Sequence, residues 1–403
     1  MKTNPRFLRT AGLLGAVLFL GLTGRVFGYG KSGHEIVGAI ADFRLSGSAT
    51  AGELRARLGL APGEKDLHLE DLAPLPDAIK EWDKMKKEDK ARELVTDIQD
   101  EKGSKVGVIL PAKLRQELWE YFKANSDRVN GQIRHHIYHF CDIPVADGAP
   151  LKYVDGQVGT PATDIVHTIA DCYRVLHDGA KPVTPGVTPG VAIILLAHFL
   201  GDLHQPLHIG AEYYRLNGSS VIFVDPNKPN PGDYLADEGG NLIAVREPTA
   251  TKGEIQAGPK LQAGMNAGNL HATWDDDAVT NALQGWSGLP GAGAEAGPYG
   301  GLAAALAKAA PAPGLIPAAG SIDDWIRGWA EEILPLARQA HDQLKFGPYP
   351  AHVANPDNVT LAVTSAPAGY LKWSGSQVQI ELVRGGYRLA WLLERALAAP
   401  STK

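Results

Sequence analysis

The sequence contains the stretch Ala197-His198-Phe199-Leu200-Gly201-Asp202-Leu203-His204-Gln205-Pro206-Leu207-His208, in which three histidines and one aspartate follow an apolar run. The residues before it are hydrophobic on all sides, which predicts a helix that passes through the protein core. His198 and Asp202 are four residues apart, so they project from one face of that helix. Pro206 cannot continue the helix, so we expect the chain to turn and bring His208 in from another direction. The pattern predicts a buried helix end surrounded by groups that bind cations.

A single His-x3-Asp pair is more often a buried hydrogen bond beside a helix cap than a metal site. Metal sites need neutral imidazoles and ionised carboxylates that converge from several elements. Four other places in the chain offer such groups, namely Tyr29 to His34, Asp77, His139, and the pair His271 and Asp275. Because the second pair repeats the four-residue spacing, a metal centre becomes the better interpretation.

The first 28 residues have the layout of a secretory signal peptide. Basic residues precede an apolar run over 11–22, and we expect cleavage after Gly28. The apolar run is too short to span a membrane comfortably, so we expect a secreted or periplasmic protein that begins at Tyr29. Removal of 1–28 takes away four basic residues and changes the formal charge from −6 to −10. This acidic charge argues against a broad basic groove for nucleic acid, and nothing in the sequence implies a protein partner.

Helical periodicity dominates the chain, which predicts a mainly α fold. We expect one helical domain over 29–403, with inserts near 84–130 and 209–268 and a mobile Gly/Ala/Pro-rich loop over 286–320 that adds little to the core. Two strands, 221–224 and 242–245, are expected to pair as a small peripheral β-hairpin. The predicted helices cover about 33–45, 77–82, 112–124, 129–141, 162–178, 269–283, 322–345 and 376–398, in addition to the helix that leads to His198. Cys141 and Cys172 are too few for a disulfide scaffold, and the sequence leaves their pairing open.

Taken together, the motifs resemble the zinc-dependent single-strand nuclease and 3′-nucleotidase family of the S-one and P-one type. They are Tyr-Gly-x-x-Gly-His at 29–34, Pro-Asp-x-Ile-Lys at 76–80, His-Phe-x-Asp at 139–142, His-Phe-x-Gly-Asp-x-x-Gln-Pro-Leu-His at 198–208, Gly-Gly-Asn at 239–241 and Asn-Leu-His-x-x-Trp-Asp at 269–275. The resemblance covers most of the chain after residue 28. It implies a helical zinc-phosphoesterase fold of the phospholipase C and nuclease kind, with three zinc ions.

The resemblance also implies a role for each matching residue. One zinc would be bound by Asp77, His139, His198 and Asp202, a second by His208, His271 and Asp275, and a third by the main chain of Tyr29 together with His34 and the bridging Asp202. Asp77 would also orient the attacking water, and Lys80 would hold a phosphate oxygen. Phe140 would stack on a base whose edge is hydrogen-bonded by Asp142.

The implied activity is hydrolysis of the P–O3′ bond in single-stranded RNA or DNA and in 3′-nucleotides. A zinc-dependent phospholipase C and an exported zinc-binding protein without turnover are the alternatives. This chain has Tyr29 where the family usually has tryptophan, and Lys80 in place of the usual arginine, so phosphate binding becomes a point-charge contact. The long inserts leave substrate preference open.

Several other residues are not expected to bind metal. His135 and His136 should flank His139 as surface or packing residues, and Cys141 should face away from it. His204 is a possible contact partner of the ligands, and Glu35 is expected to be a surface charge. The remaining histidines have no ligand-like neighbours in the sequence; they are His68, His167, His177, His341 and His352.

Overall fold

The computed structural model describes residues 29–80, 108–129, 131–251, 254–260, 265–290, 299–308, 314–349 and 360–398. Side-chain placement is described throughout these ranges except in the strands that cover 246–251 and 254–260. Helices make up about half of the described chain and the sheets are small, which confirms the mainly α prediction. The predicted signal peptide and the charged stretch from 84 to 105 lie outside the described residues.

The helices and strands occur in the following order. The helices are Lys31–Leu45, Ala49–Arg57, Leu69–Leu72, Leu75–Ile79, Ala112–Ala124, Arg134–Ile137, Ile165–His177, Pro189–Asp202, Leu270–Ala272, Ala278–Gly285, Gly300–Leu306, Ile322–Asp342 and Tyr370–Ala396, with a 3₁₀ turn at Pro206–His208 and a π-helical segment at Thr273–Asp277. The strands are Arg128–Val129, Gln132–Ile133, Ile143–Pro144, Gly210–Ala211, Tyr213–Asn217, Ser220–Val224, Leu235–Ala236, Ile243–Ala244, Arg246–Thr251, Glu254–Lys260, Lys345–Pro348 and Leu361–Ser365.

The Pro189–Asp202 helix, which we call the central helix, lies in the core, and its residues from Gly190 to Asp202 are all buried. Pro189 occupies the first turn, where its missing N–H costs nothing, and the side chain of Thr188 accepts a hydrogen bond from the Val191 N–H. Gln205 is extended before Pro206, as expected for a residue that precedes proline. The helix therefore ends where the sequence predicts, and the chain turns toward His208.

Long helices surround the central helix. It contacts Lys31–Leu45, Ile165–His177 and Tyr370–Ala396, the last of which we call the C-terminal helix. The C-terminal helix and the Lys31–Leu45 helix approach closely at Gly386, where an added Cβ would lie 2.5 Å from Cβ of Ile40. One hydrophobic cluster unites these helices, so a single core supports the end of the central helix.

The two strands predicted to form a β-hairpin are both present, but each pairs with another strand. Ser220–Val224 pairs with Tyr213–Asn217 across a two-residue turn, in which Gly218 has a φ of 60°. Ile243–Ala244 instead pairs in parallel with Leu361–Ser365, more than a hundred residues later. The predicted pairing of 221–224 with 242–245 is therefore wrong, because a glycine turn lets the first strand pair with its immediate neighbour.

Several predicted segments differ in extent, and one is the last helix, which begins at Tyr370 and not near 376. The 129–141 segment is helical only at Arg134–Ile137, because a turn at Gly131, with a φ of 87°, first folds the chain into a short antiparallel hairpin. The 286–320 segment, predicted to contribute little to the core, contains the Gly300–Leu306 helix, in which Leu302 and Ala303 are buried. That helix packs against Lys31–Leu45, so this part of the segment belongs to the core.

Two further features bear on the sequence predictions. Cys141 and Cys172 are both buried, and neither forms a disulfide. Burial raises the pKa of both thiols well above the usual value, so neither has the character of a reactive thiolate.

Within the described ranges, no helix combines the length and the apolar character needed to cross a membrane.

Truncation of Ile194, in the middle of the central helix, tests how much the fold depends on this element. Ile194 is fully buried, so Ile194→Ala should lower the free energy of unfolding by about 2–5 kcal/mol through lost burial and a cavity. Val183 is 85% exposed, and Val183→Ala should change it by less than about 0.5 kcal/mol. Urea denaturation measures both, and equal effects of the two truncations would contradict the central role of the helix.

Candidate metal centre

The end of the central helix carries two buried candidate ligands, His198 and Asp202. The Nδ1–H of His198 donates to the carbonyl of Ala73, 2.7 Å away, which leaves Nε2 directed toward the aspartate. Nε2 lies 3.1 Å from Oδ2 of Asp202, one helical turn away. A neighbouring backbone carbonyl thus fixes the tautomer that presents Nε2 as a ligand atom.

Asp77 and His139 join this pair to form the first cluster. Asp77 lies in the short Leu75–Ile79 helix, and its Oδ1 is 3.4 Å from Nε2 of His198. Nδ1 of His139 lies 3.0 Å from Nε2 of His198 and 2.9 Å from Oδ2 of Asp202. The ligand atoms of Asp77, His139 and His198 all lie within 4.8 Å of one another.

His208, His271 and Asp275 form the second cluster, again within 4.8 Å. The turn at Pro206 brings His208 in as predicted, and its Nδ1–H donates to the carbonyl of His139 over 2.8 Å. The two Nε2 atoms of His208 and His271 lie 3.0 Å apart. A π-helical turn at Thr273–Asp277 contains Asp275, whose Oδ2 is 3.5 Å from Nε2 of His271. Such turns often occur at functional sites, and this one aims the carboxylate into the cluster.

A loop and a glutamine orient the second cluster from outside. The Nδ1–H of His271 donates to the carbonyl of Gly239 at 2.8 Å, and the amide of Gln205 donates to Oδ1 of Asp275 at 2.7 Å. Gly239 has a φ of 59°, and an added Cβ would lie 2.1 Å from the carbonyl oxygen of Leu207, so this position requires glycine. This close approach explains why the Gly-Gly-Asn motif at 239–241 begins with glycine.

The third cluster is formed by His34, His198 and Asp202. Nε2 of His34 is 3.4 Å from Oδ1 of Asp202, and the rings of His34 and His198 stack with centroids 3.8 Å apart. Tyr29, five residues before His34 in the sequence, is fully buried. The N–H of the next residue, Gly30, donates to the carbonyl of Asp275 over 3.0 Å. The structure thus brings His34 to Asp202 and ties the Tyr29–Gly30 segment to the second cluster.

Several atoms in these clusters are buried without a hydrogen bond. Among the described residues, both ring nitrogens of His34, Oδ1 of Asp202 and Oδ2 of Asp275 have no hydrogen-bond partner. Buried polar atoms are rarely left so unless they serve another purpose. Imidazole nitrogens and carboxylate oxygens are the ligand types that zinc and similar cations prefer. The clusters are therefore suited to hold metal ions.

The pKa values of the ligands fit this interpretation. Burial, together with the neighbouring His198, lowers the pKa of His34, so its imidazole is neutral. Burial opposes ionisation of Asp202, but the imidazoles around it hold the pKa of this carboxyl well below its usual range. Burial alone would lower the pKa of His198, but Asp202 and Asp77 raise it to about 9. A cation that binds here must displace this proton.

Comparison with known proteins identifies the family. The sequence profile of the S1/P1 nuclease family matches residues 29–398. The chain belongs to the S1/P1 nuclease family. Nucleases of this kind are hydrolases that act on phosphoester bonds. Two plant proteins show similarity over a shorter stretch of 93 residues. Endonuclease 4 of Arabidopsis thaliana is 30% identical over 23% of this chain, and Endonuclease 1 of the same plant is 27% identical over 23% of it. The match spans 18% of the length of each relative.

In this member of the S1/P1 family, Lys80 lies beside a candidate ligand. Its side chain is almost completely buried, and Nζ is 2.7 Å from Oδ1 of Asp77. Burial opposes ionisation of Asp77, but Lys80 and His198 hold the pKa of this carboxyl well below its usual range. The two residues predicted to act together are thus in contact.

Phe140 and Asp142, the predicted base-binding residues, are partly buried next to the second cluster. The N–H of Cys141, between them, donates to the carbonyl of His208 over 2.9 Å. The hydroxyl of Tyr213 donates to the carbonyl of Asp142 at 2.8 Å. Burial, and then the charge of Asp237 and that of a neighbouring glutamate, raise the pKa of Asp142 to about 8. The segment that carries Phe140 and Asp142, just before the Ile143–Pro144 strand, is therefore fixed to the ligand-bearing turn.

His135 is one of the packing residues that the sequence predicts, whereas Glu35 is more deeply placed than predicted. His135 is fully buried, with Nε2 2.9 Å from the carbonyl oxygen of Pro76 and 3.3 Å from Nε2 of His139. Its four-residue spacing from His139 was the signal that could have shown this contact. Glu35 is 8% exposed, so its prediction as a surface charge is wrong, and burial raises its pKa to about 7. It is buried because its helix is enclosed on all sides from Gly33 to Ala41, and Nζ of Lys31 lies 3.3 Å from its Oε1.

Sequence reasoning also missed a buried ion pair between Asp237 and His341. Nε2 of His341 is 2.8 Å from Oδ2 of Asp237, whose Oδ1 accepts the N–H of Glu212 over 3.0 Å. Asp237 begins the loop that contains Gly239, the hydrogen-bond acceptor of His271. No signal in the sequence could reveal a pair separated by 104 positions.

Substitution of Gly201 tests the packing behind His34. A Cβ at this position would lie 2.7 Å from Nδ1 of His34, so Gly201→Ala should displace the imidazole and lower metal affinity by about 10- to 100-fold. Gly328 is also helical, and among the described residues nothing lies within 4 Å of its Cβ position. Gly328→Ala should leave metal affinity unchanged and add about 0.5–1 kcal/mol of stability. Titration with a competing chelator measures the difference, and equal metal affinities of the two variants would refute the prediction.

The Asp237–His341 pair predicts a pH dependence of stability. Burial alone would lower the pKa of His341, but Asp237 raises it to about 9, above its usual value of 6.5. The pair therefore stabilises the fold fully below pH 6.5, and this contribution disappears as the pH rises through about 9. Urea denaturation should show that the stability difference between wild type and His341→Gln shrinks over this range. The exposed His177, replaced by glutamine, is the control, and a difference that is constant with pH would contradict the assignment.

Proposed function

We propose that this protein is a zinc-dependent phosphoesterase that hydrolyses the P–O3′ bond of single-stranded RNA or DNA and of 3′-nucleotides. One observation carries the proposal: three groups of buried imidazoles and carboxylates converge on the end of the central helix, around Asp202. A single structural pair would not require buried ligand atoms without hydrogen bonds. Membership of the S1/P1 family supports the same chemistry.

The proposed assignment uses three zinc ions. Asp77, His139, His198 and Asp202 hold the first, and His208, His271 and Asp275 hold the second. The main-chain amine and carbonyl of Tyr29, with His34 and Asp202, hold the third, which requires removal of residues 1–28. Zinc bound there supplies Lewis-acid stabilisation of phosphate charge and a lowered pKa for a water molecule. We accordingly propose export to the cell exterior or periplasm, with maturation after Gly28.

The side chains around the ions then determine how the substrate is held. Asp77 accepts a hydrogen bond from the attacking water and so orients it toward phosphorus. Lys80, whose Nζ lies 2.7 Å from Oδ1 of Asp77, would bind a phosphate oxygen. Phe140 stacks on the base, and Asp142 hydrogen-bonds its edge. Because a duplex hides the face of the base that Phe140 needs, single strands are preferred.

An assay with four substrates tests the function. Zinc-loaded protein that begins at Tyr29 is incubated with single-stranded RNA, single-stranded DNA, 3′-AMP and phosphatidylcholine. We expect short oligonucleotides and inorganic phosphate. Diacylglycerol as the only product would instead identify a phospholipase C. No product with stoichiometric zinc would identify a metal-binding protein without turnover.

Replacement of Asp202 tests the metal assignment directly. Asp202→Asn should lower kcat/KM by more than about 100-fold and reduce the zinc content. Loss of a residue that only hydrogen-bonds to a metal ligand already lowers metal affinity or activity by about 10- to 100-fold, and Asp202 is assigned as a ligand itself. Asp171, a buried aspartate that accepts backbone N–H groups away from the clusters, provides the control. Asp171→Asn should keep both activity and zinc. Full activity of Asp202→Asn would refute the assignment of the clusters.

A further inference from the structure

His204 lies in the motif that supplies the ligands, yet it belongs to none of the three clusters. Its buried ring makes two hydrogen bonds, one between Nδ1 and the carbonyl of Leu200 at 2.7 Å and one between Nε2 and Nη1 of Arg388 at 2.9 Å. A carbonyl can only accept and a guanidinium can only donate. The proton is therefore on Nδ1, and Nε2 accepts from Arg388. The ring is held in one tautomer and one orientation.

Arg388 is itself deeply buried, at 1% exposure. A buried guanidinium is costly unless its donors are satisfied. Here Nη2 donates to the carboxylate of Glu332, Nε donates to the carbonyl of Leu315 at 3.2 Å, and the guanidinium carbon lies 4.9 Å from the ring centroid of Trp329. The C-terminal helix therefore presents to His204 a donor whose position is fixed from several sides.

The main chain of His204 extends this connection to Tyr29. The hydroxyl of Tyr29 donates to the carbonyl oxygen of His204 over 2.6 Å, and the tyrosine is fully buried. At the main-chain end, the N–H of Gly30 donates to the carbonyl of Asp275. Tyr29 is therefore held at both ends, by the residue that Arg388 fixes and by a residue of the second cluster.

We propose that His204 and Arg388 are positioning residues for the N-terminal metal chelate. They fix the carbonyl that receives the Tyr29 hydroxyl, and so hold the amine and carbonyl of Tyr29 where they bind the third zinc ion. The inference rests on the proposed function, which assigns those main-chain atoms to zinc. Well-packed apolar residues would stabilise the core as well as this buried polar chain does. What the chain of hydrogen bonds from Arg388 through His204 provides beyond stability is a fixed position for Tyr29.

Removal of the Tyr29 hydroxyl is the most direct test. Chains processed to begin at position 29, verified by N-terminal sequencing, are loaded with zinc and dialysed against increasing chelator, and zinc per protein is measured. Tyr29→Phe should lose one of three ions at a chelator concentration about 10-fold lower than wild type, while the other two ions remain as tightly bound. Tyr153→Phe is the matched control, because it removes another buried hydroxyl, which donates to Asp164 at 2.6 Å. It should keep the wild-type profile.

Two substitutions of His204 test the same connection from its other end. His204→Gln retains a donor for Leu200 and an acceptor for Arg388, so it should keep the third ion nearly as well as wild type. His204→Leu removes both and should release that ion as readily as Tyr29→Phe. Urea denaturation of the zinc-free variants shows whether either loses overall stability, and release of all three ions together would mark a general structural effect and overturn the proposal.

The outcomes separate the inference from the function on which it rests. If wild type binds fewer than three ions, the proposed zinc assignment fails, and the inference fails with it. If wild type binds three and both Tyr29→Phe and His204→Leu keep its chelator profile, the positioning role alone is refuted. Selective loss of one ion in both variants, with retention in His204→Gln, supports it.

Discussion

The buried carboxylate of Asp202 is the constraint around which the helices are arranged. Burial of an ionised carboxylate costs several kcal/mol unless charged or polar partners surround it. Here Oδ2 lies 2.9 Å from His139 and 3.1 Å from His198, and Oδ1 lies 3.4 Å from His34. The three imidazoles come from three different segments of the chain. His198 lies in the same helix as Asp202, whereas His34 and His139 come from elsewhere in the sequence. The packing of those segments on the central helix is what brings the three imidazoles to this one anion.

The local parts of this arrangement could be predicted from the sequence. An apolar run without a polar face predicts a buried helix, and the spacing of His198 and Asp202 places both on one side. Pro206 predicts the turn toward His208, because proline restricts the residue before it and cannot extend a helix. The mainly α class follows from the same periodic patterns. These features depend on neighbours within a few positions, so the sequence alone contains the necessary signal.

Features that depend on distant partners could not be predicted in this way. The strand Ile243–Ala244 pairs with Leu361–Ser365, and Asp237 pairs with His341, in both cases across about a hundred residues or more. The Gly300–Leu306 helix is a different case, because its alanine- and leucine-rich sequence favours a helix. The surrounding glycines and prolines hid that local signal. The grouping of the ligands into three clusters could be predicted only from the resemblance to a known family, whose motifs occur in the same order along this chain.

The same buried groups connect metal binding to folding. Ligand atoms of His34, Asp202 and Asp275 are buried without hydrogen bonds among the described residues, which opposes folding unless a cation contacts them. A cation that binds only the folded chain adds its binding free energy to the stability of the fold. Because the candidate ligands lie on elements far apart in sequence, a bound cation would also cross-link those elements. With a cation bound, the residues that disfavour the fold on their own would become the ones that join its parts, and under the proposed assignment Tyr29 would join the processed N-terminus to them.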